Sequence, residues 1–208
     1  MVPPFLDQVA GTGVSASPPT GILLRLRTET RAAHDRLERE VGLEDRLATL
    51  SGYRHLLARM WGVYAPLERR LIDLHLQTSL PVDLAPRLKS PLLLADLTTL
   101  GVDPSSLPLM QPIPCLSGIA EAMGCLYVLE GATLGGRIIG DHVETALGAQ
   151  SLGALTFVSS YGPDVGRMWR TFRLAISACA VDADSEDRLI ASACTTFEAF
   201  EFWLREDR

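Results

Sequence analysis

The chain has 208 residues and is 47% apolar, which excludes general disorder and is enough for one domain with a sizeable core. A net charge of −6 and a pI near 5.2 argue against nucleic acid or an anionic membrane as the main partner, since both call for a basic face. All but one of the 19 basic residues are arginine, Lys89 being the exception; the sequence alone gives this bias no functional weight. Cys115, Cys125, Cys179 and Cys194 form no C-x₂-C or C-x₄-C pair, so no zinc or iron–sulfur site is expected. They are too sparse for a disulfide framework and are expected to be reduced, mostly buried thiols. No secretory leader and no apolar stretch of roughly 20 residues is visible, so the cytoplasm is the expected location.

In chain order, residues 1–20 are rich in Pro, Gly, Ser and Thr and read as a flexible lead-in, with residues 21–208 forming the one domain. Thr20 is the expected cap of a first helix carrying Leu26, Ala33, Leu37 and Val41 on one face, with Gly42 as its stop. Ser51 is the expected cap of a second helix striped by Tyr53, Leu56, Leu57, Met60, Tyr64, Leu67 and Leu71, which Pro66 should kink. A short helix near 86–99 should end before Gly101, and the proline-rich stretch 101–114 reads as a loop. A long glycine-rich helix is expected from Ser117 to about Leu147. Asp164 should cap the next, whose apolar face is Val165, Met168, Trp169, Phe172, Ala175 and Ile176. The last starts near Asp184 or Ser185, with acidic residues in its first turn and Arg205 in its last. No run alternates as a strand would. The pattern predicts an all-α domain of six to eight helices.

Within the long helix stand Gly124, Gly131, Gly135, Gly136 and Gly140. Each interior helical glycine costs about 0.8–1 kcal/mol against alanine, so a compensating reason is required. At 100° per residue, Gly131 and Gly135 fall within about 20° of the direction of Gly124. That leaves a bare stripe, open to either a neighbouring helix or a flat ligand, and Gly135-Gly136 permits a bend. His34 lies at the edge of the first helix's apolar stripe. Glu38, one turn on, can hold a ring nitrogen as a metal-ligating histidine requires, though a salt-bridged, partly buried histidine would look the same. Arg27 precedes His34 by two turns, about 10 Å. That separation suits a porphyrin's metal and its propionates, and arginine suits carboxylates; an ordinary solvated arginine is the alternative. His55, His75 and His142 read as surface or structural. The residues three before the histidines are Arg31, Gly52, Ile72 and Ile139, so the Glu-x-x-His pairs of a di-iron bundle are absent. Nucleophile-elbow, phosphate-loop and dinucleotide motifs are absent too.

The segment Leu126-Tyr127-Val128-Leu129-Glu130-Gly131-Ala132-Thr133-Leu134-Gly135-Gly136 resembles the distal helix of bacterial, biliverdin-producing heme oxygenases. Thr30-Arg31-Ala32-Ala33-His34-Asp35-Arg36-Leu37-Glu38 resembles their proximal helix, and Phe157 to Phe172, with Tyr161-Gly162, Gly166 and Trp169, a third block. The likeness runs from about residue 22 to 205. It implies a heme-oxygenase-like fold with heme between a proximal and a glycine-rich distal helix. It makes His34 the axial ligand of the heme iron, and Gly131, Gly135 and Gly136 the catalytic glycines that let the distal helix lie close over the ring. Arg27 and Tyr127 match propionate-binding positions; Arg170 and Arg173 are further candidates without a firm match. Heme is then both substrate and cofactor, molecular oxygen the co-substrate, and a reductase or ferredoxin the electron donor. The implied products are biliverdin, iron and carbon monoxide. The animal enzymes have an aspartate where this chain has Ala132, and that keeps open a heme-binding or heme-storing protein of the same fold without catalysis.

Overall fold

A computed structural model describes residues 21–42, 46–148 and 153–205. In it the helices are α1 (Gly21–Val41), α2 (Leu50–Thr78), α3 (Ser90–Thr99), α4 (Ile119–Ala132), α5 (Gly136–Leu147), α6 (Thr156–Ser159), α7 (Val165–Cys179) and α8 (Ala183–Arg205). Single 3₁₀ turns lie at Ala85–Arg87, Pro104–Ser106, Thr133–Gly135 and Gly162–Asp164, and there is no strand among the described residues. The expected all-α domain is observed. The lead-in 1–20 and the cap at Thr20 fall outside the described residues.

The amphipathic stripes supply the core. Leu26, Ala33 and Val41 of α1 are buried, and Gly42 ends that helix with φ +55°. The last helix, α8, packs most extensively against α1 and α4, burying Leu189, Ala193, Phe197, Phe200 and Leu204. Gly124 explains how closely α4 approaches it: a Cβ there would lie 2.1 Å from the Leu189 carbonyl oxygen. At this end of the glycine stripe a helix, not a ligand, is the neighbour.

Three expectations are corrected. The cap of α2 is Thr49, not Ser51: Thr49 is extended, and its hydroxyl accepts the Gly52 N–H at 3.1 Å, the usual span from cap to third helical residue. Asp164 precedes α7 but makes no side-chain cap bond; its carboxylate takes Nε of Arg167 at 3.0 Å. All four cysteines are unpaired, but only Cys125 is buried and Cys115 is exposed.

Pro66 lies within α2 without dividing it. Its ring removes the hydrogen bond due to the carbonyl one turn back, at Gly62. That carbonyl accepts instead from the Met110 N–H at 2.8 Å, which ties the proline-rich loop to the helix. The four-residue α6 has no sequence stripe of its own. Its first amides, Thr156 and Phe157, donate to the fully buried carboxylate of Asp96 on α3 at 3.0 and 2.8 Å. No helix among the described residues is long and apolar enough to cross a membrane.

Candidate active site

His34 is half-buried on α1, its ring edge-on to Phe197 of α8 with centroids 5.7 Å apart. Nε2 lies 3.6 Å from Glu38 and Nδ1 3.6 Å from Asp35. The Glu38 neighbour was expected from helical spacing; Asp35, adjacent in sequence, was not. A half-turn of the ring exchanges the two nitrogens, so a carboxylate can steady either one while the other is offered to a ligand. The His34, Asp35 and Glu38 donor atoms lie within 4.8 Å of one another.

About one turn nearer the N-terminus, at Thr30, α1 meets Tyr127 of α4. Burial raises the pKa of the Tyr127 phenol, while a hydrogen bond with Thr30 and the positive charges of Arg27 and Arg173 pull it down. The Tyr127 ring leans on Trp169 of α7 with centroids 5.8 Å apart. So the charges of Arg27 on α1 and Arg173 on α7, remote in sequence, both act on the Tyr127 phenol of α4. Arg170 is exposed and is not among the charges acting on Tyr127.

Beyond Tyr127 the long helix breaks. The 3₁₀ turn Thr133–Gly135 separates α4 from α5, and the Thr133 hydroxyl donates to the Glu130 carbonyl at 2.7 Å. This interruption ends at Gly135-Gly136, the pair that the sequence reads as permitting a bend. The glycines themselves differ. A Cβ at Gly131 would meet nothing within 4 Å, so the backbone borders open space. A Cβ at Gly136 would sit 2.1 Å from the Val158 carbonyl oxygen; its bareness is taken up by α6. Gly135 is buried in the turn.

The family model described as heme oxygenase matches residues 20–102 and 116–206. The chain belongs to the heme oxygenase family. Its fold is similar to that of the NO- and CO-bound heme oxygenase from Neisseria meningitidis, with a TM-score of 0.77 at 23% identity over 89% of this chain and 90% of that one. No curated protein sequence gives a significant match. Two observations fit the family's substrate: no atom lies within 4 Å of a Cβ added at Gly131, so nothing there bars a flat ring, and Arg27, Arg173 and Tyr127 offer cations and a phenol to carboxylates.

Behind the bend the chain carries a buried charge cluster that periodicity did not reveal. Glu130, the residue before Gly131, is ion-paired with Arg87, both side chains almost wholly buried. Its other oxygen accepts from the Tyr161 hydroxyl at 2.6 Å. Arg87 also reaches Thr171 of α7 at 3.1 Å. Lys89 lies over the Tyr161 ring, 3.7 Å from its centroid. Glu68 of α2 accepts the amides of Lys89 and Ser90 at 2.6 and 2.9 Å, along with the Ser90 hydroxyl, and so closes the N-terminus of α3. Burial pushes Glu68 upward against these donors and holds Lys89 down at about 8, with the Glu130 and Glu68 charges opposing that fall. The available signal was Glu130 itself: a lone charge in the otherwise uncharged run Ala122–Gly136 must be paired if it is buried.

Proposed function

We propose that the chain binds heme between α1 and the α4–α5 bend and opens it to biliverdin, iron and carbon monoxide. The observation carrying this reading is the bare backbone at Gly131, which borders open space on the same helix as Tyr127. The substrate ring supplies the iron at which oxygen and electrons, from a reductase or ferredoxin, are brought together.

The chain's own residues provide binding and seating. His34 offers one imidazole nitrogen to the iron, with Glu38 or Asp35 steadying the other nitrogen. A histidine ligand does not push electron density as a thiolate does, which disfavours early O–O cleavage. Arg27, Tyr127 and Arg173 hold the propionates and so fix the ring's rotation in its plane. Gly131 and Gly135 keep side chains off the distal face. Gly136 contributes by letting the bend seat against α6, and the helix backbone then confines oxygen over one edge of the ring.

The test is heme titration followed by turnover with a reductant. Wild type should show a histidine-ligated Soret spectrum and yield biliverdin. His34→Ala should keep its helical circular dichroism but lose both. Unchanged spectra and turnover in that variant would move the ligand elsewhere. Ala132, exposed at the bend, favours a second reading, a heme-binding protein without catalysis; a Soret band without biliverdin would select it.

A further inference from the structure

The chain's single lysine is among its most deeply buried side chains. Lys89 is 1% exposed, although the other 18 basic residues are all arginine. Burial makes that choice meaningful. An arginine stays charged in any protein environment, whereas a buried ammonium can give up its proton. The neighbouring cation Arg87 already pairs with Glu130, which leaves Lys89 to balance the buried Glu68 carboxylate, a charge that an arginine would supply as well.

The ammonium is also incompletely used. It has three N–H donors. One goes to the Arg87 carbonyl at 2.9 Å. Glu130 Oε1, at 4.0 Å, is beyond hydrogen-bonding distance, and the Tyr161 ring accepts only through its face. Lys89 then borders a small cavity that it shares with Tyr64, Ala132, Thr133, Gly136 and Phe157. The cavity has about 30 Å³ of room for water, enough for at least one molecule where polar partners exist. Its lining joins the buried Lys89 to the Thr133–Gly135 turn through Ala132, Thr133 and Gly136.

We propose that Lys89 is the proton-relaying residue of the distal side, acting through water in this cavity beneath the α4–α5 bend. This rests on the heme oxygenase reading above. An N–H bond of the ammonium breaks as an O–H bond forms on the cavity water, which passes a proton on toward the space above Gly131. The neutral amine then recovers a proton from solvent through the same water. Glu130, Glu68 and Arg87 face the ammonium, and Tyr64 and Tyr161 line its surroundings. The carboxylates favour its charged form, while burial and Arg87 oppose it, leaving the amine titratable near neutrality. Lys89 touches no reacting atom in this scheme; it is a positioning and relay group.

A single lysine makes the test direct. Protein labelled with ¹³C,¹⁵N-lysine gives one side-chain signal, which can be followed with and without heme. Expected are a titration midpoint well below that of an exposed lysine and magnetisation transfer to a long-lived water. Absence of any water contact would overturn the relay. In the heme-loaded protein, Lys89→Met should slow biliverdin formation at least about tenfold at unchanged heme affinity. Lys89→Arg, charged but unable to titrate, should also be slow and should lose the alkaline limb that follows the lysine's own midpoint. If Lys89→Met folds poorly, Lys89→Arg and the labelled wild type carry the decision. Wild-type turnover with either variant matching its rate and pH profile sinks the relay alone. Heme loading without wild-type turnover sinks the enzyme reading, and the relay with it.

Discussion

Gly131 and Gly136 flank the same short turn, yet their missing side chains serve opposite sides of the helix. At Gly131 the backbone borders empty space; at Gly136 it is pressed on the Val158 carbonyl. The residue beside the open glycine, Glu130, is the most heavily tethered carboxylate of the bend, joined to Arg87 and Tyr161. One side of the bend is held by buried charge and backbone contact, and the other is left bare. A surface that must accept a rigid flat ligand gains from this division, because contacts on the sealed face position the empty one.

The largest expected effect is on the sealed side. Glu130→Ala strands Arg87 as a buried, unpaired cation, and losing one partner of such a pair costs about 3–5 kcal/mol. Chemical denaturation should show that loss, and heme binding should weaken with it; a near-neutral result would mean that Arg87 finds solvent and that the bend is not anchored there. Lys89 comes next. Its pKa is lowered from 10.5 to about 8 in the fold, so between those values the unfolded chain binds more protons. Stability contributed by this group should therefore rise with pH across that window, by up to about 3 kcal/mol. The buried Cys125 thiol, pushed up to about 12, and the raised tyrosines act in the opposite direction. The quantity to measure is thus the wild-type stability minus that of Lys89→Met. If this difference is flat between pH 8 and 10.5, the lysine is not held neutral-leaning by burial.

The glycines separate the two sides at smaller cost. Gly136→Ala drives a methyl into the Val158 carbonyl and should destabilise by about 1–3 kcal/mol. Gly131→Ala should be neutral or stabilising by up to about 1 kcal/mol, because alanine is the better helix former, while lowering heme affinity. Thermal melts and heme titrations of the two variants check both halves. If Gly131→Ala binds heme as wild type does, the ring lies elsewhere on the helix.

Helical stripes made most of this fold legible. The faces through Leu26 and Val41, through Tyr53 and Leu71, and through Leu189 and Leu204 are buried as their spacing requires. Elements held by tertiary contacts were not legible. The short α6 depends on Asp96, far away in sequence, and nothing in its own residues announces it. At the site, Glu38 beside His34 follows from helical geometry. The meeting of Arg27 with Tyr127 drew on resemblance, because pairing across helices leaves no period in the chain. The glycines show the limit most clearly. Their angular register put Gly124, Gly131 and Gly135 on one stripe, but Gly124 is sealed by α8 and Gly131 is open. Spacing gives direction; only the packed neighbours decide whether a bare direction holds a carbonyl or a ligand.

The smallest expected effect lies at the open rim. Burial of the ring's apolar surface should provide most of the binding free energy. Arg27 is exposed, and ion pairs in contact with water contribute about 0–1 kcal/mol. Arg27→Ala and Tyr127→Phe should each weaken heme binding only a few-fold, since Tyr127→Phe also keeps the ring against Trp169. Their effect should appear in orientation instead. A ring freed to rotate in its plane brings a different meso carbon beneath the oxygen confined at Gly131, so the mixture of biliverdin isomers should change more than the affinity does. Chromatography of the product from each variant, beside wild type and at full heme loading, measures this. Arg173, which also acts on Tyr127, provides the internal control: Arg173→Ala should shift the isomers in the same way, while Arg170→Ala should not. An unchanged pattern in Arg27→Ala, Tyr127→Phe and Arg173→Ala would mean that the sealed side of the bend seats the ring unaided, by shape alone.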